Sequence, residues 1–109
     1  LATIHNGLVN VSGHVGFKPG TTEPISDSIE DQTRETLRLI DEVLAQAGTS
    51  RDKLLMVRVY LTHVQRDFAA MNKVYEEWIG DHRSARTTVG VELAVDGLLI
   101  EIDAMAAIE

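Results

Sequence analysis

Two stretches of this chain repeat their apolar residues every three or four positions, and the segments around them alternate every two. Ile29, Thr33, Leu37, Ile40, Leu44 and Ala47 make the first series, with Glu30, Asp31, Arg34, Arg38, Asp41 and Glu42 on the opposite face. Phe68, Met71, Val74, Tyr75 and Trp78 make the second, within Asp67–Ile79. Such spacings fall on one side only in an α-helix. Ser26 or Asp27 can cap the first helix, Glu30 follows Asp27 at capping-box distance, and Gly48 and Gly80 supply the stops. Two one-sided helices need a flat apolar surface to rest on, which the alternating segments provide.

The first of those segments straddles Asn6-Gly7, a pair that supplies the two positive φ angles of a type I′ hairpin turn. Leu1 to His5 and Leu8 to Val15 are its arms, with Val9, Val11, Gly13 and Val15 as the expected core face. Gly16 to Thr22, containing Pro19-Gly20, reads as a loop. Lys53 to His63 forms a strand with Leu55, Val57, Val59 and Leu61 on one side and Met56, Arg58, Tyr60 and Thr62 on the other. Ser84 to Ala106 then reads as a second hairpin about Asp96-Gly97. Thr87, Val89, Val91 and Leu93 form one core face there, and Leu98, Ile100, Ile102 and Ala104 the other. The order β-β-α-β-α-β-β predicts an α+β fold, a mixed sheet with both helices on one face.

Two helices cover one side of such a sheet. The other side is expected to carry Ser12, His14, Met56, Arg58, Tyr60, Arg86, Thr88, Leu99, Glu101 and Met105. That mixture is too apolar for a wetted face and too polar for a core, which favours a subunit interface with polar clefts. A solvated amphipathic face is the plainer alternative. If Leu93 pairs with Leu98 around the turn, Arg86 faces Met105 and Glu101 faces Gly90. The two charges then share a face about 13 Å apart by strand rise, too far for an ion pair. They can serve one small ligand from its two ends, or with help from a neighbouring subunit.

Composition narrows the functions. At 109 residues and 44% hydrophobic, the chain has room for one core, so residues 1–109 are read as a single domain. A formal charge of −7 and 5% aromatic content argue against nucleic-acid binding. With no cysteine, thiolate zinc sites, thiol nucleophiles and disulfides are excluded, and a reducing, cytoplasmic setting is expected. No apolar run approaches the roughly 18 residues needed to span a bilayer. His5, His63 and His82 lack metal-ligand spacing, so neither metal nor cofactor is expected.

The motifs have a family likeness. Val-Ser-Gly-His-Val at 11–15, Asp-Gln-Thr-Arg-Glu-Thr-Leu at 31–37 and Val-Leu-Ala-Gln-Ala-Gly at 43–48 come first. Asp-Phe-Ala-Ala-Met-Asn-Lys-Val-Tyr at 67–75, Ala-Arg-Thr-Thr-Val at 85–89 and Ile-Glu-Ile-Asp-Ala-Met-Ala at 100–106 follow. In this order and spacing they resemble the Rid (YjgF, L-PSP) family of reactive-intermediate imine deaminases. The resemblance implies a chorismate-mutase-like fold assembled as a homotrimer, with clefts between subunits. It implies hydrolysis of enamine and imine acids to 2-oxo acids and ammonia, the small-molecule partners expected here. By position, Arg86 matches the arginine that holds the substrate carboxylate and Glu101 the acid that orients water. Ser12, Gly13, Asn72 and Thr88 match cleft-lining positions. Thr88 stands where many deaminating members have cysteine, and His14 where glutamine is common.

The chemistry is consistent with those residue types. An arginine fork holds a carboxylate by two parallel hydrogen bonds, which lysine cannot reproduce. Imine hydrolysis is intrinsically easy, so positioning plus one acid–base group can suffice. Against each role stands a plainer one: an ion pair of Arg86 with Glu92 or Asp103, a structural carboxylate at Glu101 with Asp103 as its competitor, and a loop-bonding Asn72. A non-catalytic carboxylate-binding or regulatory trimer is the alternative function. Ribonuclease action, sometimes ascribed to the family, is disfavoured by the acidic charge and the lack of a basic groove.

Overall fold

The computed structural model describes residues 1–108, in which five strands and two helices appear in the expected order. Strands β1 (Ala2–His5) and β2 (Leu8–Val15) form the first hairpin, and Asn6 and Gly7 take φ values of 51° and 77° as its turn requires. Helix α1 spans Ile29–Gln46. A 3-10 turn at Arg51–Lys53 leads into β3 (Leu54–Leu61), α2 (Val64–Ile79), β4 (Ala85–Gly90) and β5 (Ile100–Ala107).

The helix cap is Ser28, one residue beyond the expected position. Its hydroxyl accepts the Asp31 amide at 3.1 Å, and Glu30 and Asp31 place negative charge in the first turn, where the helix dipole favours it. Helix α2 begins at Val64, three residues before the expected Asp67, with His63 preceding it and giving no side-chain cap. Leu37, Ile40 and Leu44 from α1 and Met71, Val74 and Tyr75 from α2 are buried against Val9, Val11, Val57, Val59, Leu61, Ile100, Ile102, Ala104 and Ala106 of the sheet.

The sheet order β1-β2-β5-β3-β4 overturns the second hairpin. β4 and β5 do not pair. β5 lies antiparallel between β2 and β3, while β4 runs parallel to β3 on its far edge. Leu98 N–H does donate to the Val95 carbonyl at 3.3 Å, so a turn exists around Asp96-Gly97. The chain leaving it crosses the end of β3: Val91 N–H donates to Leu61 O, and Thr62 N–H to Leu99 O. Ile100, Ile102, Ala104 and Ala106 are all buried, and a strand with such a face gains more from two flanking partners than from a local hairpin.

Two irregularities move side chains from their expected faces. A register shift between Leu54 and Met56 buries Leu54 and leaves Leu55 45% exposed. Another, between Val11 and His14, interrupts the alternation of β2, so that Val15 stands opposite Glu101 rather than with buried Val9 and Val11. Leu99, expected on the open face, is buried, and its amide is received by Gln32 Oε1 at 2.8 Å.

Candidate functional site

Parallel pairing of β4 with β3 decides where Arg86 points. Arg86, Thr88 and Gly90 lie beside Val57, Val59 and Leu61, all three buried on the helix-covered side. A Cβ on Gly90 would fall 2.9 Å from Val64 Cγ1 of α2, which confirms that this face of β4 meets the helix. Arg86 and Thr88 are therefore not on the open face. The hairpin reading put them there because it gave the core face to Thr87, Val89, Val91 and Leu93, whereas Val89 is 39% exposed in the structure.

Arg86 lies over aromatic rings. Its Cζ is 4.8 Å from the Tyr75 ring centroid and 5.9 Å from that of Phe68. Neither Glu92 nor Asp103 pairs with it. Among the described residues each of the other six arginines has an acid or a carbonyl partner, whereas Arg86 has no ion pair or side-chain hydrogen bond. Thr88 Oγ1, two residues along the same face of β4, and Asn72 Oδ1 on α2 also lack hydrogen-bond partners among the described residues. Phe68, Asn72 and Tyr75 follow at four- and three-residue spacing, so one helical face carries both rings and the amide. Burial pushes the Tyr75 phenol above its usual range, with the Arg86 cation pulling the other way, so it stays protonated near neutrality.

Glu101 belongs to the other face of the sheet. It stands between Tyr60 of β3 and Val15 of β2, beside Arg58, Asp103 and Met105 on the side the helices leave bare. Its competitor Asp103 is already engaged, accepting Arg58 Nε at 2.8 Å and the Tyr60 hydroxyl at 2.9 Å. Burial first, and that bond to Asp103 second, raise the Tyr60 phenol and keep it a donor. Glu101 has no such partner among the described residues. Its carboxylate reaches across to Gly13: a Cβ there would overlap Oε2 and come within 2.8 Å of Cδ. Ser12, beside it, donates its hydroxyl to the Leu1 carbonyl at 2.8 Å, and Ser12 O is met by His14 Nδ1 at 2.7 Å.

The six expected site residues thus form two half-sites. Arg86, Thr88 and Asn72 lie at the β4–α2 edge; Ser12, Gly13 and Glu101 lie on the bare face of β2 and β5. Two strand spacings and three residues of register separate Arg86 from Glu101, about 14 Å between backbones and on opposite faces. One chain does not bring them together. The rings of Phe68 and Tyr75, which the sequence offers only as a helix stripe, are the neighbours that reasoning from sequence missed. Their seven-residue spacing was the available signal.

Gly13 allows a direct test of the second half-site. The obstacle a new Cβ would meet is the flexible end of a glutamate, so Gly13→Ala should fold with a stability change below about 1 kcal/mol while displacing the carboxylate. If Glu101 positions a reacting water, turnover should fall about 10- to 100-fold at nearly unchanged melting temperature. Full activity in that variant would show that the carboxylate's present position is immaterial.

The bare face holds a concavity of about 670 Å³, lined by Val11, Met56, Met105 and Ala104 together with Arg58 and Asp103. Among the described residues no helix is long and apolar enough to cross a membrane.

The Endoribonuclease L-PSP family model matches residues 1–108. The mitochondrial protein mmf2 of Schizosaccharomyces pombe is 43% identical over 104 residues, which cover 93% of this chain and 80% of that one. A RutC family protein of Pyrococcus horikoshii is 40% identical over 96 residues, covering 88% and 75%. Of solved structures, yeast Mmf1 superposes with a TM-score of 0.91 at 28% identity, over 99% of this chain and 85% of that one. The Rid family protein YyfA of Yersinia pestis gives a TM-score of 0.91 at 33% identity, over 98% and 85%.

Proposed function

We propose, for a chain that belongs to the L-PSP (Rid/YjgF) family, that it hydrolyses small enamine and imine acids to 2-oxo acids and ammonia. The substrates are of the 2-aminoacrylate or 2-iminobutanoate type, and the cleft is one that two copies build together. The observation that carries this reading is Arg86: a guanidinium that, among the described residues, has no anion, laid on two aromatic rings, beside a hydroxyl and an amide oxygen that are likewise unpartnered there. A stacked guanidinium keeps its N–H edges free, and a carboxylate fits them with two parallel bonds.

In this reading Arg86 of one copy grips the carboxylate, and Glu101 of a neighbour holds the attacking water. An enamine acid first becomes its imine as one N–H proton moves to the β-carbon. Water then adds to the imine carbon, both of its protons pass in turn to nitrogen, and the C–N bond breaks to leave the 2-oxo acid and ammonia. Glu101 takes each proton from oxygen and hands it to nitrogen, which needs one correctly placed carboxylate and no covalent intermediate. Assembly through the bare face, with its mixed apolar and charged concavity, supports a closed homotrimer in which each copy offers one half-site to each neighbour.

The test is ammonia and 2-oxo acid release while an amino-acid oxidase generates the imine in situ, compared with spontaneous decay. No acceleration by the wild-type protein would sink the reading. A mixing experiment tests the shared cleft. Arg86→Ala and Glu101→Gln chains should each be inactive alone, yet together regain about one quarter of wild-type activity, the fraction of intact clefts under random pairing of copies. A second reading follows from the opposite faces of the two half-sites: Arg86 binds small carboxylates without turnover. Saturable binding of 2-oxobutanoate, with imine decay unchanged, would select it.

A further inference from the structure

Arg86 is held by rings rather than by acids, and the nearer ring is itself fastened. Tyr75 is only 4% exposed and tilts against Trp78, with centroids 5.7 Å apart and planes at 51°. Trp78 is pinned from behind. Arg51 Cζ lies 5.0 Å over its ring, Arg51 Nη1 donates to its backbone carbonyl at 2.5 Å, and both Arg51 Nη2 and Trp78 Nε1 donate to Asp41 Oδ2, at 2.8 and 2.9 Å. Asp41 belongs to α1 and Arg51 to the turn before β3, so the row Asp41–Arg51–Trp78–Tyr75–Arg86 runs from one helix across the other to the sheet edge. Phe68, 42% exposed and farther from the guanidinium, adds a looser second contact.

We propose that Tyr75 is a positioning residue, whose ring face rather than hydroxyl fixes the Arg86 guanidinium for carboxylate binding, with Asp41, Arg51 and Trp78 fastening that ring. The inference rests on the clamp role assigned to Arg86 above. An arginine left to itself spreads over many rotamers and loses that freedom when it binds. An acid could order it, but would occupy the N–H edges and compete with the ligand. A ring attracts the cation through its face and leaves the fork open.

The experiment compares Tyr75→Leu, which removes the π face, with Tyr75→Phe, which keeps it. Tyr75→Leu should raise KM for the imine and Kd for 2-oxobutanoate about 5- to 30-fold, with kcat changed less than about 3-fold. Tyr75→Phe should restore both. In an Arg86→Ala background, Tyr75→Leu should have no further effect on binding. Side-chain NMR of Arg86 supplies a readout free of activity. In the wild type its δ and ε protons should be shifted upfield by ring current and its Nε–H ordered. The shift and order should vanish in Tyr75→Leu and persist in Tyr75→Phe. A wild-type Arg86 without ring-current shift, equal damage from Tyr75→Phe, or unchanged Arg86 signals in Tyr75→Leu would each overturn the proposal. If the wild type neither turns over imines nor binds 2-oxobutanoate, the functional reading fails, while the Arg86 signals still decide the role of Tyr75.

Discussion

Arg86→Ala is expected to lower kcat/KM for imine hydrolysis by about 100-fold or more, to the rate of spontaneous decay. Two charge-assisted hydrogen bonds to a carboxylate contribute about 1.5–3 kcal/mol each, and both vanish with the guanidinium. Arg86→Lys should recover little, because an ammonium cannot form the parallel pair and packs less well over the Tyr75 ring. The same geometry predicts a small structural cost. Among the described residues Arg86 engages no acid, so its removal strands no buried partner, and what is lost is stacking worth about 0.5–2 kcal/mol. The signature is therefore loss of 2-oxobutanoate binding and turnover with a melting temperature lowered by no more than about 10 °C. An Arg86→Ala protein that still accelerates imine decay would remove the clamp from the mechanism.

How far that prediction was legible in the sequence depends on which link is asked about. The helices, the Asn6-Gly7 hairpin and the one-sided coverage of a mixed sheet follow from periodicity and turn chemistry, and they stand. The arginine itself stood out through its surrounding motif. Its face did not, because alternation says only which residues of a strand go together, not which side they take. The side is set by the neighbouring strand. Asp96-Gly97 signalled a hairpin and does form a turn, but pairings between β5 and both β2 and β3 outweigh that local preference. The same non-local pairings introduce the two register shifts that expose Leu55 and turn Val15 toward Glu101. Motif spacing selected the site residues and was silent about their separation into two half-sites.

The separation changes what the bare face means. Read as one surface carrying Arg86 and Glu101, it was both interface and cleft. In the structure it carries Glu101 with an already satisfied Asp103–Arg58–Tyr60 cluster, while the arginine waits at the sheet edge on the other side. Under the proposed reading, assembly is then a condition of catalysis, since a dissociated chain keeps a carboxylate grip and loses the water-handling group. Activity per chain should fall on dilution wherever the assembly dissociates, with 2-oxo acid binding falling less steeply.

The largest stability effect is expected not at the site but at Gln32, a residue that its helical period places beside Ile29 and that is wholly buried. Its Nε2 donates to Ser26 O at 2.8 Å and to Gly97 O at 2.9 Å, and its Oε1 accepts the Leu99 amide at 2.8 Å. One side chain thus binds α1 to the segment before it and to the loop that feeds β5. Gln32→Leu preserves bulk and helix propensity but ends all three bonds. The Gly97 carbonyl lies in an exposed residue and can turn to water; the Leu99 amide, in a buried one, cannot. The two bonds to carbonyls, about 1 kcal/mol each, and the stranded Leu99 donor, about 1–3 kcal/mol, give a destabilisation of about 3–5 kcal/mol. For a domain of this size that lowers the melting temperature by about 15–25 °C at fixed protein concentration. Thr36→Val is the control. Its hydroxyl is also buried, but it donates to Gln32 O within the same helix, so its loss should cost no more than about 1 kcal/mol. Because Glu101 follows Leu99 by two residues, Gln32→Leu should also weaken turnover below the melting transition, while the Tyr75-held arginine still binds carboxylate. Equal melting temperatures for Gln32→Leu and Thr36→Val would mean that the loop before β5 is held by its apolar contacts and not by the glutamine.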